Sequence, residues 1–163
     1  MNAAPEFLPP LINLDGSYEE IIERLYEVFR RDFIENRARH LGWDVRYIGS
    51  IYEFSQSKVE GFWHVITRED ATRSNRLIDY RRAERLSWAK PLMENPYRKG
   101  IKFFFYDEGI PRKGIRHYIW FEKGNYVVVL RKRRDDYFWI TAFYVDDWKR
   151  EDLQKRFENR IGP

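Results

Sequence analysis

The sequence predicts an α+β fold in which N-terminal helices pack on a four-stranded antiparallel sheet and a C-terminal helix closes the domain. Two patterns lead to this prediction. Apolar residues recur at helical spacing in the first part of the chain, and the last third alternates aromatic and branched residues in strand-like runs. Helices and strands that occupy separate blocks of a sequence are typical of α+β proteins.

A length of 163 residues fits one domain. We expect an extended arm over residues 1–16, which holds three prolines, and a single α+β domain over residues 17–163. No apolar run approaches the roughly 20 residues that span a bilayer. Residues 1–10 lack the pattern of a signal peptide. We therefore expect a cytoplasmic protein without a membrane partner.

The first predicted helix covers residues 18–36. Ser17 and Glu20 form a capping-box pattern before it, and apolar residues then recur at helical spacing from Ile21 to Phe33. Gly42 would end the helix. Residues 44–54 resemble one or two short strands.

The middle of the chain combines a predicted strand with a second helix. Residues 62–66 are rich in aromatic and branched side chains and predict a short strand. A helix is expected over residues 79–93, disturbed in its last turn by Pro91.

Four strands are predicted in the final third, joined as an antiparallel meander. Their ranges are residues 101–106, 116–121, 126–132 and 137–145. Tight connections are marked by Gly124 with Asn125 and by the charged residues 133–136. A last helix over residues 148–159 would be capped by Asp146 or Asp147.

His64 is the histidine that the sequence singles out for chemistry. In a strand over residues 62–66 it would share a face with two large apolar residues. An imidazole titrates near neutral pH and can act as a general acid or base. A buried, hydrogen-bonded structural histidine is the alternative interpretation, as it is for His40 and His117.

Positive charge is concentrated in two segments of this chain of net charge +4, residues 68–90 and residues 98–116. Within the predicted second helix, Arg81 and Arg85 share one stripe, and Arg82 lies at the edge of the buried face. Guanidinium groups hold phosphate through paired hydrogen bonds, so this helix is a candidate phosphate-binding element. A solvated face paired with nearby carboxylates is the alternative.

Thr141 lies in the last predicted strand, on a face that a regular strand would share with Tyr137, Trp139 and Phe143. A lone hydroxyl on an aromatic face is a candidate hydrogen-bond donor to phosphate. Strand propensity alone also explains a threonine here. Tyr144 would lie on the opposite face and join the same site only if the strand bulges.

Several classes of chemistry lack support in the sequence. The chain has no cysteine, so disulfides, thiolate metal sites and cysteine nucleophiles are excluded. It contains no GxxxxGK[ST], GxGxxG, GxSxG or HExxH motif, and its histidines show no metal-ligand spacing. We therefore expect no cofactor and no metal.

Three short segments occur in an order that carries a resemblance to a known family. They are Phe62-Trp63-His64 with Arg68 just beyond it, a helix bearing Arg82, and the terminal strand Ile140-Thr141-Ala142-Phe143. This order resembles the phage-type branch of the BECR ribonuclease fold, named for barnase, EndoU, the tRNA-cleaving nuclease colicins and RelE. The resemblance covers about residues 61–145. Many members of that fold are metal-independent endoribonucleases or toxin domains, and some lie in phage and mobile elements.

The resemblance implies a catalytic set of one histidine, two arginines and one threonine. Its members are His64, Arg68, Arg82 and Thr141. EndoU-like members use a second histidine and a lysine, and this chain has no second histidine beside His64. The second proton-transfer group stays open, with three candidates: His117, Glu69 and Tyr144. A further set is expected to contact RNA, consisting of Trp63, Arg81, Arg85, Tyr137 and Trp139.

The reaction implied is attack of a ribose 2′-hydroxyl on the adjacent phosphate, which yields a 2′,3′-cyclic phosphate. His64 would move a proton, and Arg68 and Arg82 would stabilise charge on the phosphorane oxygens. The expected partners are single-stranded or tRNA-like RNA and, for a toxin, an inhibitor or immunity protein. The alternative is a non-catalytic nucleic-acid- or protein-binding domain that keeps the fold without activity.

Overall fold

The computed structural model describes residues 5–51, 56–69 and 76–163, with the backbone alone for Glu69 and Arg76. The helices in these ranges are α1 (Tyr18–Phe29), α2 (Glu60–Ile66), α3 (Tyr80–Ala83), α4 (Leu86–Glu94) and α5 (Asp147–Glu158). The strands are β1 (Arg39–His40), β2 (Trp43–Arg46), β3 (Thr67–Glu69), β4 (Arg76–Ile78), β5 (Ile101–Asp107), β6 (Ile115–Phe121), β7 (Tyr126–Lys132) and β8 (Tyr137–Tyr144).

Six of the strands form a curled, mixed sheet in the order β1-β2-β8-β7-β6-β5, and β3 pairs with β4 as a separate ribbon. The predicted four-stranded antiparallel sheet is therefore wrong. The strands β5 to β8 do form an antiparallel meander, but β2 adds to β8 in parallel, with Val45 opposite Tyr137. This pairing joins segments about ninety residues apart, and a strand of four residues carries no sequence signal for its partner.

The hairpin of β1 and β2 forms because its turn takes an unusual backbone conformation. Leu41 and Gly42 both have positive φ angles, 50° and 86°. This is the backbone pattern of the tight turns that match strand twist, and glycine adopts it at low cost. Gly42 therefore makes a hairpin turn, while the preceding helix ends earlier in the chain.

The curled sheet has an inner face, which packs against α1 to α4, and an outer face, which packs against α5. Side chains alternate between the two faces along each strand. The larger core lies at the inner face and includes Leu25, Phe29, Phe62, Leu92 and Leu130. The smaller core lies at the outer face and includes Phe104, Tyr118, Trp120, Val129 and Leu153.

The first and last helices confirm the sequence predictions. The Ser17 hydroxyl accepts a hydrogen bond from the backbone N–H of Glu20 at 3.2 Å, which caps α1. A π-helical turn, Arg30–Glu35, extends α1 to the predicted end. At the other terminus, the Asp146 carboxylate accepts from the backbone N–H of Lys149 at 3.1 Å and caps α5.

The strand predicted over residues 62–66 is wrong, because these residues form α2. Phe62, Val65 and Ile66 are buried together at a spacing of three and four residues, which is the helical period. A short run of aromatic and branched residues fits either element, and only its packing decides between them. His64 consequently lies in the last turn of a helix.

The predicted second helix is present as two pieces, α3 and α4, with the break at Arg85. The Asp79 carboxylate caps α3 by accepting from the backbone N–H of Arg82 at 3.1 Å. Pro91 lies inside α4. The described part of the N-terminal arm docks on this region, since the Trp88 indole N–H donates to the carbonyl of Pro9 at 2.7 Å.

Candidate nucleic-acid interface

The arginines that the sequence emphasises lie where α2, α3 and the end of β8 meet. We call Arg81, Arg82 and Arg85 the inner corner. Arg82 Nη1 donates to the carbonyl oxygen of Thr67 at 2.9 Å and lies 3.4 Å from that of His64. Carbonyls at a helix end lack partners within the helix, so the Arg82 guanidinium stabilises the end of α2.

Arg85 is the most buried member of the inner corner, with 9% of its surface exposed. Its Nε donates to the carbonyl of Gly124 at 3.0 Å, and its Nη1 donates to the carbonyl of Arg81 at 2.9 Å and to the Glu84 carboxylate at 2.6 Å. The guanidinium therefore ties α3 to the β6–β7 turn. These contacts assign Arg85 a structural role.

Tyr144 packs against the inner corner. Arg81 Nη1 donates to its hydroxyl at 3.1 Å, and the guanidinium carbons of Arg81 and Arg85 lie 4.9 and 4.8 Å from its ring centre. Cations at this distance from an aromatic face attract it. Tyr144 thus packs at the inner face.

The C-terminal end of α2 also holds His64 and Trp63, and Arg68 lies just beyond it on β3. His64 and Trp63 are half-buried, while Arg68 is exposed on β3, opposite Leu77. The Trp63 ring meets Phe62 edge-on at 5.2 Å. The side chain of Glu69 lies outside the described residues.

Thr141 lies at the outer face because β8 bulges. Val129 pairs with Thr141 and Leu130 pairs with Trp139, so Ile140 is an extra residue between them. Thr141 then shares the outer face with Val129, while Trp139 turns to the inner face. The expected common face of Thr141 and Trp139 is wrong, and the sheet separates Thr141 from Arg82.

Tyr137 and Trp139 both lie in the larger core, with 4% and 3% of their surfaces exposed. Trp139 contacts Phe33, with ring centres 4.6 Å apart. Rings buried to this extent are not presented for stacking on a base, so we leave them out of the interface.

His117 pairs with another histidine at the inner face. His117 Nδ1 lies 3.0 Å from His40 Nε2, and His40 Nδ1 lies 2.8 Å from the carbonyl oxygen of Met93. A carbonyl only accepts, so His40 donates through Nδ1 and accepts at Nε2 from His117.

Both histidines of this pair are held neutral. Burial lowers the pKa of His40 to about 4 and, with a contribution from His40 and Lys132, lowers that of His117 to about 3. Charging an imidazole among the rings of Phe103, Phe105 and Tyr137 costs hydration energy that these contacts do not replace. The pair is thus a structural element of the core.

A different cluster of positive charge crosses the outer face. Tyr106 pairs with Arg116, Arg116 with Arg131, and Arg131 with Phe138. We call these four residues the arginine row. Tyr106, Arg116 and Arg131 each lie two residues along the strand from a member of the smaller core. Phe138 lies two residues from Ile140, which packs against that core beside the bulge. All four side chains therefore point to the outer face.

The arginine row places two like charges side by side, and only Arg116 has a carboxylate nearby among the described residues. Arg116 Nη1 lies 4.0 Å from the Glu108 carboxylate, too far for a hydrogen bond. Arg116 Nε is buried and has no hydrogen-bond acceptor among the described residues. Arg131 makes no ion pair with any part of the chain that the structure describes. Like charges directly opposite on neighbouring strands destabilise a sheet.

The sequence did contain a signal for this row. Residues 98–116 form one of its two basic segments, and Arg116 and Arg131 each extend the alternating pattern of a predicted strand. Pairing those strands across their short turn would have placed the two arginines opposite one another. The helical arginines form the more conspicuous pattern because they are closer together in sequence.

Within the described ranges, no group of three or more histidine, aspartate or glutamate side chains is arranged to hold a metal ion. None of the helices in those ranges is both long enough and apolar enough to cross a membrane. The sequence matches no protein-family model, no curated protein and no solved structure. The resemblance to the BECR ribonucleases therefore stays a prediction.

Proposed function

We propose that this protein binds single-stranded RNA across the outer face of its sheet. The observation that carries the proposal is the direct pairing of Arg116 with Arg131, at a place where neither donates a hydrogen bond to a carboxylate of the described residues and the nearest one, Glu108, lies 4.0 Å from Arg116. Two guanidiniums on neighbouring strands repel each other in the unliganded protein. A bound phosphate backbone removes that repulsion and accepts the hydrogen bonds that both groups lack.

Aromatic rings at both ends of the arginine row favour a single strand over a duplex. Tyr106 and Phe138 flank the two arginines. Trp148, at the start of α5, has 64% of its surface exposed. Unpaired bases stack on such rings, with a gain of about 1–3 kcal/mol per base. Bases inside a duplex are not available for this contact.

The test is fluorescence anisotropy with a labelled 2′-O-methyl RNA strand, which cannot be cleaved through its 2′-oxygen. Log affinity should fall linearly with log salt, with a slope of about −0.7 for each phosphate contact. Arg131→Gln should weaken binding and make the slope shallower. Arg30→Gln removes the same charge from the π-helical turn that follows α1 and should leave both the affinity and the slope unchanged. Equal binding by Arg131→Gln and wild type would contradict the proposal.

A second candidate function is metal-independent endoribonuclease activity of the toxin or phage type. Arg82 lies against the carbonyl of His64, and Arg68 lies on the strand that follows, so three of the implied catalytic residues are close in space. In this hypothesis His64 transfers the proton and Arg68 contacts the phosphate. Thr141 takes no part, because it lies on the other face of the sheet.

The nuclease hypothesis is tested by incubating the protein with mixed RNA and a chelator, followed by examination of the fragment ends. The expected result is fragments ending in 2′,3′-cyclic phosphate, abolished by His64→Ala, with Arg131→Gln only weakening the reaction. Intact RNA would leave binding as the function, and equal cleavage by His64→Ala would contradict the proton-transfer role of His64.

A further inference from the structure

A cleft lies next to the arginine row, between the outer face and α5. It has a volume of about 180 Å³. Arg116 and Thr141 line it from the sheet, Lys149 and Arg156 line it from α5, and Lys113 lines it from the loop before β6. Four cations thus line this space, and Arg116 belongs both to the cleft and to the arginine row.

The carboxylates of the cleft already have partners. Arg156 Nη1 lies 2.8 and 3.0 Å from the two Glu108 carboxylate oxygens, and the Tyr118 hydroxyl donates to Glu108 at 2.5 Å. Arg156 Nε donates to Asp152 at 3.2 Å. Burial acts to raise the pKa of Glu108, but the hydrogen bonds from Tyr118 and Arg156 outweigh it and the pKa is lowered. Glu108 is therefore ionised, and Arg156 is committed to it and to Asp152.

Three cations and one hydroxyl remain for a ligand. In the described parts of the chain, Lys113 and Lys149 make no ion pair, and the Thr141 hydroxyl makes no hydrogen bond. The ammonium of Lys149 lies 4.4 Å from the ring centre of Trp148 and 5.3 Å from that of Phe143. Arg116 has only the 4.0 Å approach to Glu108.

We propose that this cleft binds the terminal phosphate monoester of a nucleic-acid strand. The inference rests on the proposed function, because the strand itself would lie on the arginine row. A phosphate monoester carries about −1.5 to −2 charge and three strong acceptor oxygens. Lys113, Arg116, Lys149 and the Thr141 hydroxyl match that charge and supply donors.

The size of the cleft favours a strand end over a continuous strand. Leu153 of α5 packs into the smaller core beside Phe104, which places α5 over this part of the outer face. A space of about 180 Å³ is below the roughly 300–1,000 Å³ of a typical ligand pocket, so it holds a phosphate group rather than a whole nucleotide.

The test compares three 2′-O-methyl strands of one sequence by competition: one with a 5′-phosphate, one with a 3′-phosphate and one with hydroxyl ends. Wild-type protein should bind one phosphorylated strand about tenfold more tightly than the hydroxyl strand, as expected for added charge-assisted hydrogen bonds. The strand that gains affinity identifies which terminus enters the cleft.

Two variants locate the effect. Lys113→Gln combined with Lys149→Gln should reduce the preference to within about twofold, since it removes two of the charges that face the phosphate. Lys155→Gln removes a charge from an exposed position on the same helix and should keep the full preference. Thermal melting checks that each variant is folded.

The outcomes separate this inference from the proposed function. Binding of all three strands with equal affinity by wild type would overturn the terminal-phosphate site and leave the arginine row in place. Failure of every strand to bind would overturn both. A phosphate preference that persists in the folded double lysine variant would also overturn the site.

Discussion

The inner corner and the arginine row are built from the same side chain, yet the fold uses them in different ways. In the inner corner, Arg82 and Arg85 donate to backbone carbonyls and approach Asp79 and Glu84. In the arginine row, Arg116 faces another arginine and stays 4.0 Å from its nearest carboxylate.

The difference shows that a guanidinium's partners, rather than its place in a basic segment, indicate its role. A guanidinium saturated by buried carbonyls stabilises the protein and is costly to release. One that lacks acceptors in the folded protein gains most from an external anion. The inner corner is accordingly expected to control stability, and the arginine row to control binding.

The largest expected effect is loss of stability in acid, which arises from the inner face. The unfolded chain binds more protons than the folded chain between pH 6.5 and the lowered pKa values of His40, about 4, and His117, about 3. Stability therefore falls as pH falls through this window. We expect a decrease of about 4 kcal/mol in the free energy of unfolding from pH 6.5 to about pH 4.5. Urea denaturation followed by tryptophan fluorescence measures it.

The substitution His117→Phe separates the contribution of the histidine pair to this pH dependence from the contribution of the carboxylates. This variant removes one of the two groups, so the pH dependence above about pH 4.5 should become shallower. A wild-type slope in His117→Phe would show that another group is responsible.

A smaller effect is expected from Arg85→Met in the inner corner. The change leaves the carbonyls of Gly124 and Arg81 without their donor, and we expect a loss of about 2–3 kcal/mol in the free energy of unfolding. Chemical denaturation measures this loss. Arg81→Met, at an exposed position of the same corner, should cost less than about 1 kcal/mol. Similar losses in the two variants would remove the structural role of Arg85.

The double change Arg116→Gln with Arg131→Gln should have the opposite effect, with a loss of RNA affinity and little change in stability. We expect affinity for single-stranded RNA to fall about tenfold and the salt slope to become shallower by about 1.4, for two lost phosphate contacts. Stability should stay within about 0.5 kcal/mol of wild type, or rise, since the repulsion between the arginines is removed. A strong loss of stability with unchanged affinity would reverse the assignment of the two regions.

The smallest effect is expected from Thr141→Val. This change at a half-buried position of the outer face keeps the side-chain shape and removes a hydroxyl that makes no hydrogen bond among the described residues, so stability should change by less than about 0.5 kcal/mol. Affinity for a strand with hydroxyl ends should not change. Impaired binding of that strand would place Thr141 in contact with the chain itself rather than with its terminal phosphate.

Local sequence patterns were sufficient for several elements. Ser17 and Asp146 cap the helices that their positions predict. The alternating residues of the final third form β5 to β8 close to the predicted bounds. These elements depend on neighbours a few residues away, and the sequence records such neighbours directly.

The candidate site could not be predicted in the same way. The helix at His64 depends on burial of Phe62 against the core, and the outward position of Thr141 depends on one extra residue in β8. The pairing of His117 with His40 joins positions 77 residues apart. Each of these features is decided by packing and register between distant segments.

The sequence by itself determined that this chain has capped terminal helices, a meander of aromatic strands and an excess of positive charge. Only the tertiary structure decided which of the positively charged side chains have hydrogen-bond partners within the protein. Backbone carbonyls of α2, α3 and the β6–β7 turn reach Arg82 and Arg85, whereas the register of β6 and β7 sets Arg116 against Arg131. Hydrogen bonds require partners within about 3 Å, and proximity at that scale is a property of the folded chain.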